Sequence, residues 1–119
     1  MGVKKKQVLS ITILSLKGSF FGDKETDEMQ KAIMDEAAAG NTRLILDLTE
    51  CDALNSIAIG VLMRAFANYK GRQGEIKLVG LGKRLKQMFV MMKLIMVFDH
   101  HDTEEQALAA FAGGTAPSS

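Results

Sequence analysis

The amino-acid sequence predicts an α/β domain in which strands and crossover helices alternate to build a mainly parallel sheet. Apolar runs of strand length alternate with segments of helical periodicity, about fifteen to thirty residues per unit. The run Leu44-Ile45-Leu46-Asp47-Leu48 lacks polar alternation, as expected of a strand covered on both faces. Glycines stand where helical segments end, at Gly40 and again at Gly71 and Gly74.

Val8 to Leu16 is rich in β-branched residues and reads as a strand ending near Gly18, with a short strand from about Val3 before it. Gly22-Asp23 is turn chemistry. The spacing then predicts a helix over Glu25 to Ala39, with Met29, Ala32, Ile33 and Ala37 on one stripe, an acidic first turn and Gly40 at its end. Arg43 to Leu48 is the next strand. A short loop leads to Leu54-Asn55-Ser56, and a helix follows from Ile57 to Lys70. Asn55 and Ser56 both suit a helix N-cap, since each side chain can accept from free backbone N–H groups. Glu75 to Val79 reads as a strand, Lys83 to Met92 as a helix striped by Leu85, Met88, Phe89 and Met92, and Leu94 to Phe98 as the last strand. Glu104 to Phe111 is the closing helix, with Asp102 or Thr103 as its cap. Residues 1–112 are expected to form one domain, and 113–119, small and polar with Pro117, a disordered tail.

Composition narrows the function classes. The 119 residues carry a formal net charge of +1, which gives no reason to expect nucleic acid or an anionic membrane as a partner. Cys51 is the single cysteine, no stretch is apolar enough to insert in or span a bilayer, and the N-terminus lacks a signal-peptide core; the expected setting is cytoplasmic. Neither phosphate-cradling glycine motif is present, so no nucleotide cofactor is expected. His100 and His101 are adjacent just past a strand, an arrangement that disfavours a shared metal, and Cys51 reads as an inert packed thiol. No catalytic, cofactor or metal site is therefore expected. Met88 to Met92 is apolar at five successive positions, more than one amphipathic face can bury. Met91 in particular is a candidate docking residue, because flexible thioethers re-pack against a partner.

The segment Leu46-Asp47-Leu48-Thr49 through Asn55-Ser56-Ile57-Ala58-Ile59-Gly60 resembles the STAS domain family, whose pattern is a strand ending Asp-Leu-Ser/Thr and then Asp-Ser-Ser-Gly-Leu-Gly opening a helix. Gly74 to Leu81, Lys93 to Asp99 and Thr103 to Leu108 resemble further family segments in the same order. The resemblance implies a mixed, mainly parallel sheet of four to five strands with about four helices. It also implies an anti-sigma-factor antagonist or similar partner-switch protein, bound to a regulatory partner such as an anti-sigma-type serine kinase. The family's phosphoacceptor serine corresponds to Ser56. Asn55, Ile57 and Asp23 flank it as partner-binding candidates with Met91. Asn55 and Ile57 replace the family's aspartate and second serine, and no acidic residue follows Gly18 until Asp23. These departures also suit an unphosphorylated STAS subunit of a signalling scaffold or a membrane transporter. Oligomeric state stays open.

Overall fold

The computed structural model describes residues 2–113. In chain order its strands are β1 (Gly2–Val8), β2 (Ile11–Phe20), β3 (Arg43–Asp47), β4 (Cys51–Leu54), β5 (Glu75–Val79) and β6 (Asp99–His101). The helices are α1 (Lys24–Ala38), α2 (Ser56–Gly71), α3 (Lys83–Met91) and α4 (Glu104–Gly113), with a 3-10 turn at Leu94–Met96. The sheet is mixed and runs in the order β1-β2-β3-β5-β6. Only β1, hairpinned onto β2, is antiparallel; the other pairings are parallel. β3 and β4 share one edge of β2: Thr12 to Ser15 pair with Leu44 to Asp47, and Gly18 to Phe20 pair with Cys51 to Leu54.

Helices cover both faces of the sheet. Leu14, Leu16, Leu44, Leu46, Ile76 and Leu78 point into a core closed by α1, α2 and α3, while Ile11, Ile13, Ile45 and Val79 meet Ala107 and Phe111 of α4. That division explains the unalternating run in β3, where Leu44, Ile45 and Leu46 are all fully buried. Each contributes about 1.5–3 kcal/mol of apolar burial. Two polar ties fix α1. Glu36, on the inner face, pairs with Lys5 at 2.6 Å and accepts from Thr12 Oγ1 and Asn41 Nδ2 at 3.0 and 2.8 Å. Tyr69 of α2 donates its hydroxyl proton to the Ile33 carbonyl at 2.6 Å.

Four expectations are corrected. The short strand expected from about Val3 is β1, which takes Val8 as its last residue, so the strand read from Val8 starts only at Ile11, after a turn at Leu9-Ser10 where Leu9 takes φ 57°. The loop after β3 contains β4, held beside β2 by Gly18 N–H donating to the Glu50 carbonyl at 3.0 Å. Leu94 to Phe98 is a 3-10 turn with its exit, and the last strand, β6, follows it; His100 and His101 therefore lie within a strand. Leu94 and Phe98 face the core while Met96 between them is exposed, whereas a strand would set all three on one face. Lys93 at φ 62° starts the turn. Finally, α4 runs to Gly113. Thr103 supplies its cap, with Oγ1 accepting from Gln106 N–H at 3.1 Å. Residues 114–119 of the expected tail lie outside the described residues.

Candidate functional site

The N-terminus of α2 stands over the C-terminal ends of β2 and β4, and its chemistry begins with Asn55. This residue is extended (φ −99°, ψ −176°), and its N–H donates to the Phe20 carbonyl at 3.1 Å, prolonging the β2–β4 pairing by one rung. Its side chain then turns back as the helix cap. Oδ1 accepts from the Ile57 and Ala58 N–H groups, both at 3.1 Å, and Nδ2 donates to the Phe21 carbonyl at 2.9 Å. One amide therefore satisfies two free helix donors and ties down the loop after β2.

Ser56 follows as the first residue of the helix and is exposed. Its hydroxyl makes no hydrogen bond to any described residue, so the cap and the exposed hydroxyl are separate groups. Ile57, 56% exposed, lies on Gly22: a Cβ there would sit 2.7 Å from Ile57 Cδ1, and Gly22 takes φ +86°. Gly22 N–H donates to Thr26 Oγ1 at 2.8 Å, which folds the loop against α1. Asp23, next along the loop, is exposed and precedes α1 without capping it through its side chain. Phe21, half exposed, and Ile57 thus form an apolar rim beside Ser56, with Asp23 on the adjoining loop. The first turn of α2 holds no acidic residue, so no side-chain charge offsets the positive end of its dipole.

Asp23, Asn55, Ser56 and Ile57 therefore come together at one end of the domain, and Met91 does not join them. α3 begins beyond the C-terminal end of β5 and returns toward the start of the parallel strand β6, which carries Met91 to the opposite end of the sheet.

Two further features bear on chemistry. Cys51 is buried, its Sγ faces the Ala53 carbonyl at 3.8 Å, and desolvation, with Asp52 nearby, pushes its thiol up to about 11. Sequence reasoning missed a charged cluster under α4. Lys77, 5% exposed, pairs with Glu75 at 2.8 Å and Asp99 at 2.5 Å and lies 4.8 Å from the centre of the Phe111 ring. Burial alone would lower the Lys77 pKa, but bonds to Asp99 and Glu75 outweigh it and hold the pKa above its ordinary value. Lys77 and Glu75 stand two apart on one strand, so that pair was legible; Asp99 arrives only through β6 pairing with β5.

The STAS domain family model matches residues 3–107. No curated protein matches the sequence. Among solved structures, a candidate anti-sigma-factor antagonist from Thermotoga maritima superposes with a TM-score of 0.84 at 18% identity, over 90% of this chain and 92% of that one. SpoIIAA, an anti-sigma-factor antagonist of Bacillus solved unphosphorylated and phosphorylated, gives 0.72 in the unphosphorylated form, at 14% identity over 95% and 99%. A sulfate transporter family protein from Wolinella succinogenes gives 0.75 at 20% identity over 88% and 87%. Identities this low speak for the fold they share with this chain.

Proposed function

The chain belongs to the STAS domain family, and from that premise we propose that it is a protein-binding switch of the anti-sigma-factor antagonist kind. Its docking surface is the α2 N-terminus with the Phe21-Gly22-Asp23 loop, and Ser56 is its phosphoacceptor. The partner is a regulatory protein of the anti-sigma serine-kinase type. The reading asks for no catalysis by the chain itself. Among the described residues no helix is long and apolar enough to cross a membrane.

The observation that carries the reading is the division of labour between Asn55 and Ser56. Because Asn55 caps the helix, Ser56 can be modified without breaking a bond that holds the fold. A phosphoserine adds about −1.5 to −2 charges. At the start of a helix that charge meets the positive end of the dipole, which favours it by about 0.3–1 kcal/mol. A partner seated on Phe21 and Ile57 would have to desolvate the same charge, so modification releases the partner and leaves the domain folded.

A second reading rests on the apolar rim. Exposed Ile57 and Phe21 suit permanent docking as a subunit of a scaffold or transporter, and the likeness to the Wolinella protein supports that class. Affinity recovery of the protein from its own cells, with intact-mass analysis, separates the two. A kinase-type partner, with a fraction of the chain heavier by one phosphate (about 80 Da) mapped to Ser56, supports the switch. Unmodified protein recovered with transporter or scaffold subunits refutes it in favour of permanent docking.

A further inference from the structure

We propose that the outer face of α3 and the 3-10 turn after it form a second contact surface, with which the domain rests on an anionic bilayer. This surface is independent of the reading of Ser56, and its apolar end lies toward the other end of the sheet.

The inner side of this segment is spent on the core through Leu85, Phe89, Leu94 and Phe98. Its outer side carries long apolar side chains with nothing over them: Met91 is 82% exposed and Met96 87%, with Val90 and Met92 beside them. A shallow depression of about 490 Å³ runs along Lys83, Lys86, Gln87, Val90 and Met91, positions that recur three and four apart and so share one helix face. The stripe is polarised, with its ammonium groups at the start of the helix and its apolar groups at the end.

The charge pattern names the occupant. Between Ile76 and Phe98 the sequence holds Lys77, Lys83, Arg84, Lys86 and Lys93 and no acidic residue. Lys77 is buried against Glu75 and Asp99, whereas the other four form no ion pair with any described residue. Lys83, Arg84 and Lys86 also crowd the first turn of α3, where the helix dipole repels cations and Gly82 supplies no side-chain cap. Folding gains nothing from that placement, but an anionic surface does. The chain-wide net charge of +1 hides this segregation because the 14 acidic residues all lie elsewhere in the sequence.

A bilayer suits this face better than a second copy. Two copies packed through this face would bring two clusters of unpaired cations (Lys83, Arg84, Lys86 and Lys93) together, a like-charge contact that costs affinity. Against anionic lipid, lysine stems lie along the apolar boundary while their ammonium groups stay among the headgroups, drawn by the negative surface potential. Met91 and Met96, flexible and unbranched, enter the acyl boundary.

Co-sedimentation of the full chain with vesicles of equimolar phosphatidylglycerol and phosphatidylcholine, against phosphatidylcholine alone, tests the proposal. Binding is expected only with the anionic vesicles and should weaken as salt rises to about 0.5 M. Met91→Gln with Met96→Gln should weaken it about tenfold or more, as should Lys83→Gln with Lys86→Gln. Both pairs are solvent-facing and should melt like the unaltered protein. Equal binding to both vesicle types overturns the proposal, as does binding lost only on neutralising Lys4, Lys5 and Lys6. Absence of vesicle binding overturns it too; if self-association is then seen and the Met91/Met96 pair abolishes it, the face belongs to a second copy.

Discussion

Replacing Asn55 tests the site more sharply than replacing Ser56, because the structure gives the two residues different work. Asn55→Ala removes the acceptor for the Ile57 and Ala58 N–H groups and the donor to the Phe21 carbonyl. Loss of an N-cap costs about 0.5–2 kcal/mol. Loss of one further hydrogen bond costs about 0.5–1.5 kcal/mol. Part of this is recovered, since the site is open to water, so the expected destabilisation is about 2 kcal/mol. For a domain of this length that lowers the melting midpoint by about 8 °C. Ser56→Ala, removing a hydroxyl bonded to no described residue, should stay within about 0.5 kcal/mol of the unaltered protein. Asn55→Asp should fall between the two. It keeps the cap and gains from the dipole, but it sets a carboxylate oxygen against the Phe21 carbonyl where Nδ2 now donates. Urea and thermal unfolding of the three variants, followed by circular dichroism, is the assay. If Ser56→Ala lost 1 kcal/mol or more while Asn55→Ala lost none, the hydroxyl would be the cap. The separation of cap and phosphoacceptor on which the switch rests would then be gone.

Other predictions concern the surroundings. Ser56→Asp should leave the melting midpoint almost unchanged yet abolish partner binding; a variant that binds as well as the unaltered chain would refute the charge argument. Gly22→Ala forces a side chain onto φ +86° and into Ile57, and should cost more than 1 kcal/mol. An Ile57→Ala background should relieve the collision but not the backbone strain, which a double-mutant cycle in urea measures. For Glu36, burial alone would raise the pKa, but bonds from Lys5, Asn41 and Thr12 hold it below the ordinary 4.5. Its contribution is therefore complete above pH 4.5 and is lost as pH falls through the folded-state value. The urea midpoint should accordingly hold at neutral pH and drop below about pH 4.5, with Glu36→Gln flattening that acid limb. The Cys51 thiol, pushed to about 11 against an ordinary 9, should react with a thiol reagent at pH 8 about a hundredfold more slowly folded than unfolded. Equal rates would place it outside the core.

Most local signals were legible in the sequence, the tight turn at Leu9-Ser10 being an exception. The stripe of Met29 and Ile33, Gly40 behind α1, the doubly buried β3 and the start of α2 all follow from periodicity, caps and turn chemistry, which act over a few residues. Asn55 and Ser56 were both legible as cap formers, and local chemistry cannot choose between them. The choice was made by β4, whose pairing with β2 sets Asn55 in the extended conformation a cap requires and passes Ser56 into the helix. β4 was itself hidden, since four residues of mixed polarity become a strand only when an edge of β2 is offered to them. The segment Leu94 to Phe98 misled in the opposite way. Its composition favours a strand, but the core takes Leu94 and Phe98 from one side and leaves Met96 and Val97 outside. The same folding set α3's unpaired lysines beside exposed methionines and brought Asp99 to Lys77. Chain order thus determined the elements and the residue types of the site, while contacts distant in sequence decided which residue caps, which hydroxyl stays free and which apolar side chains remain in water.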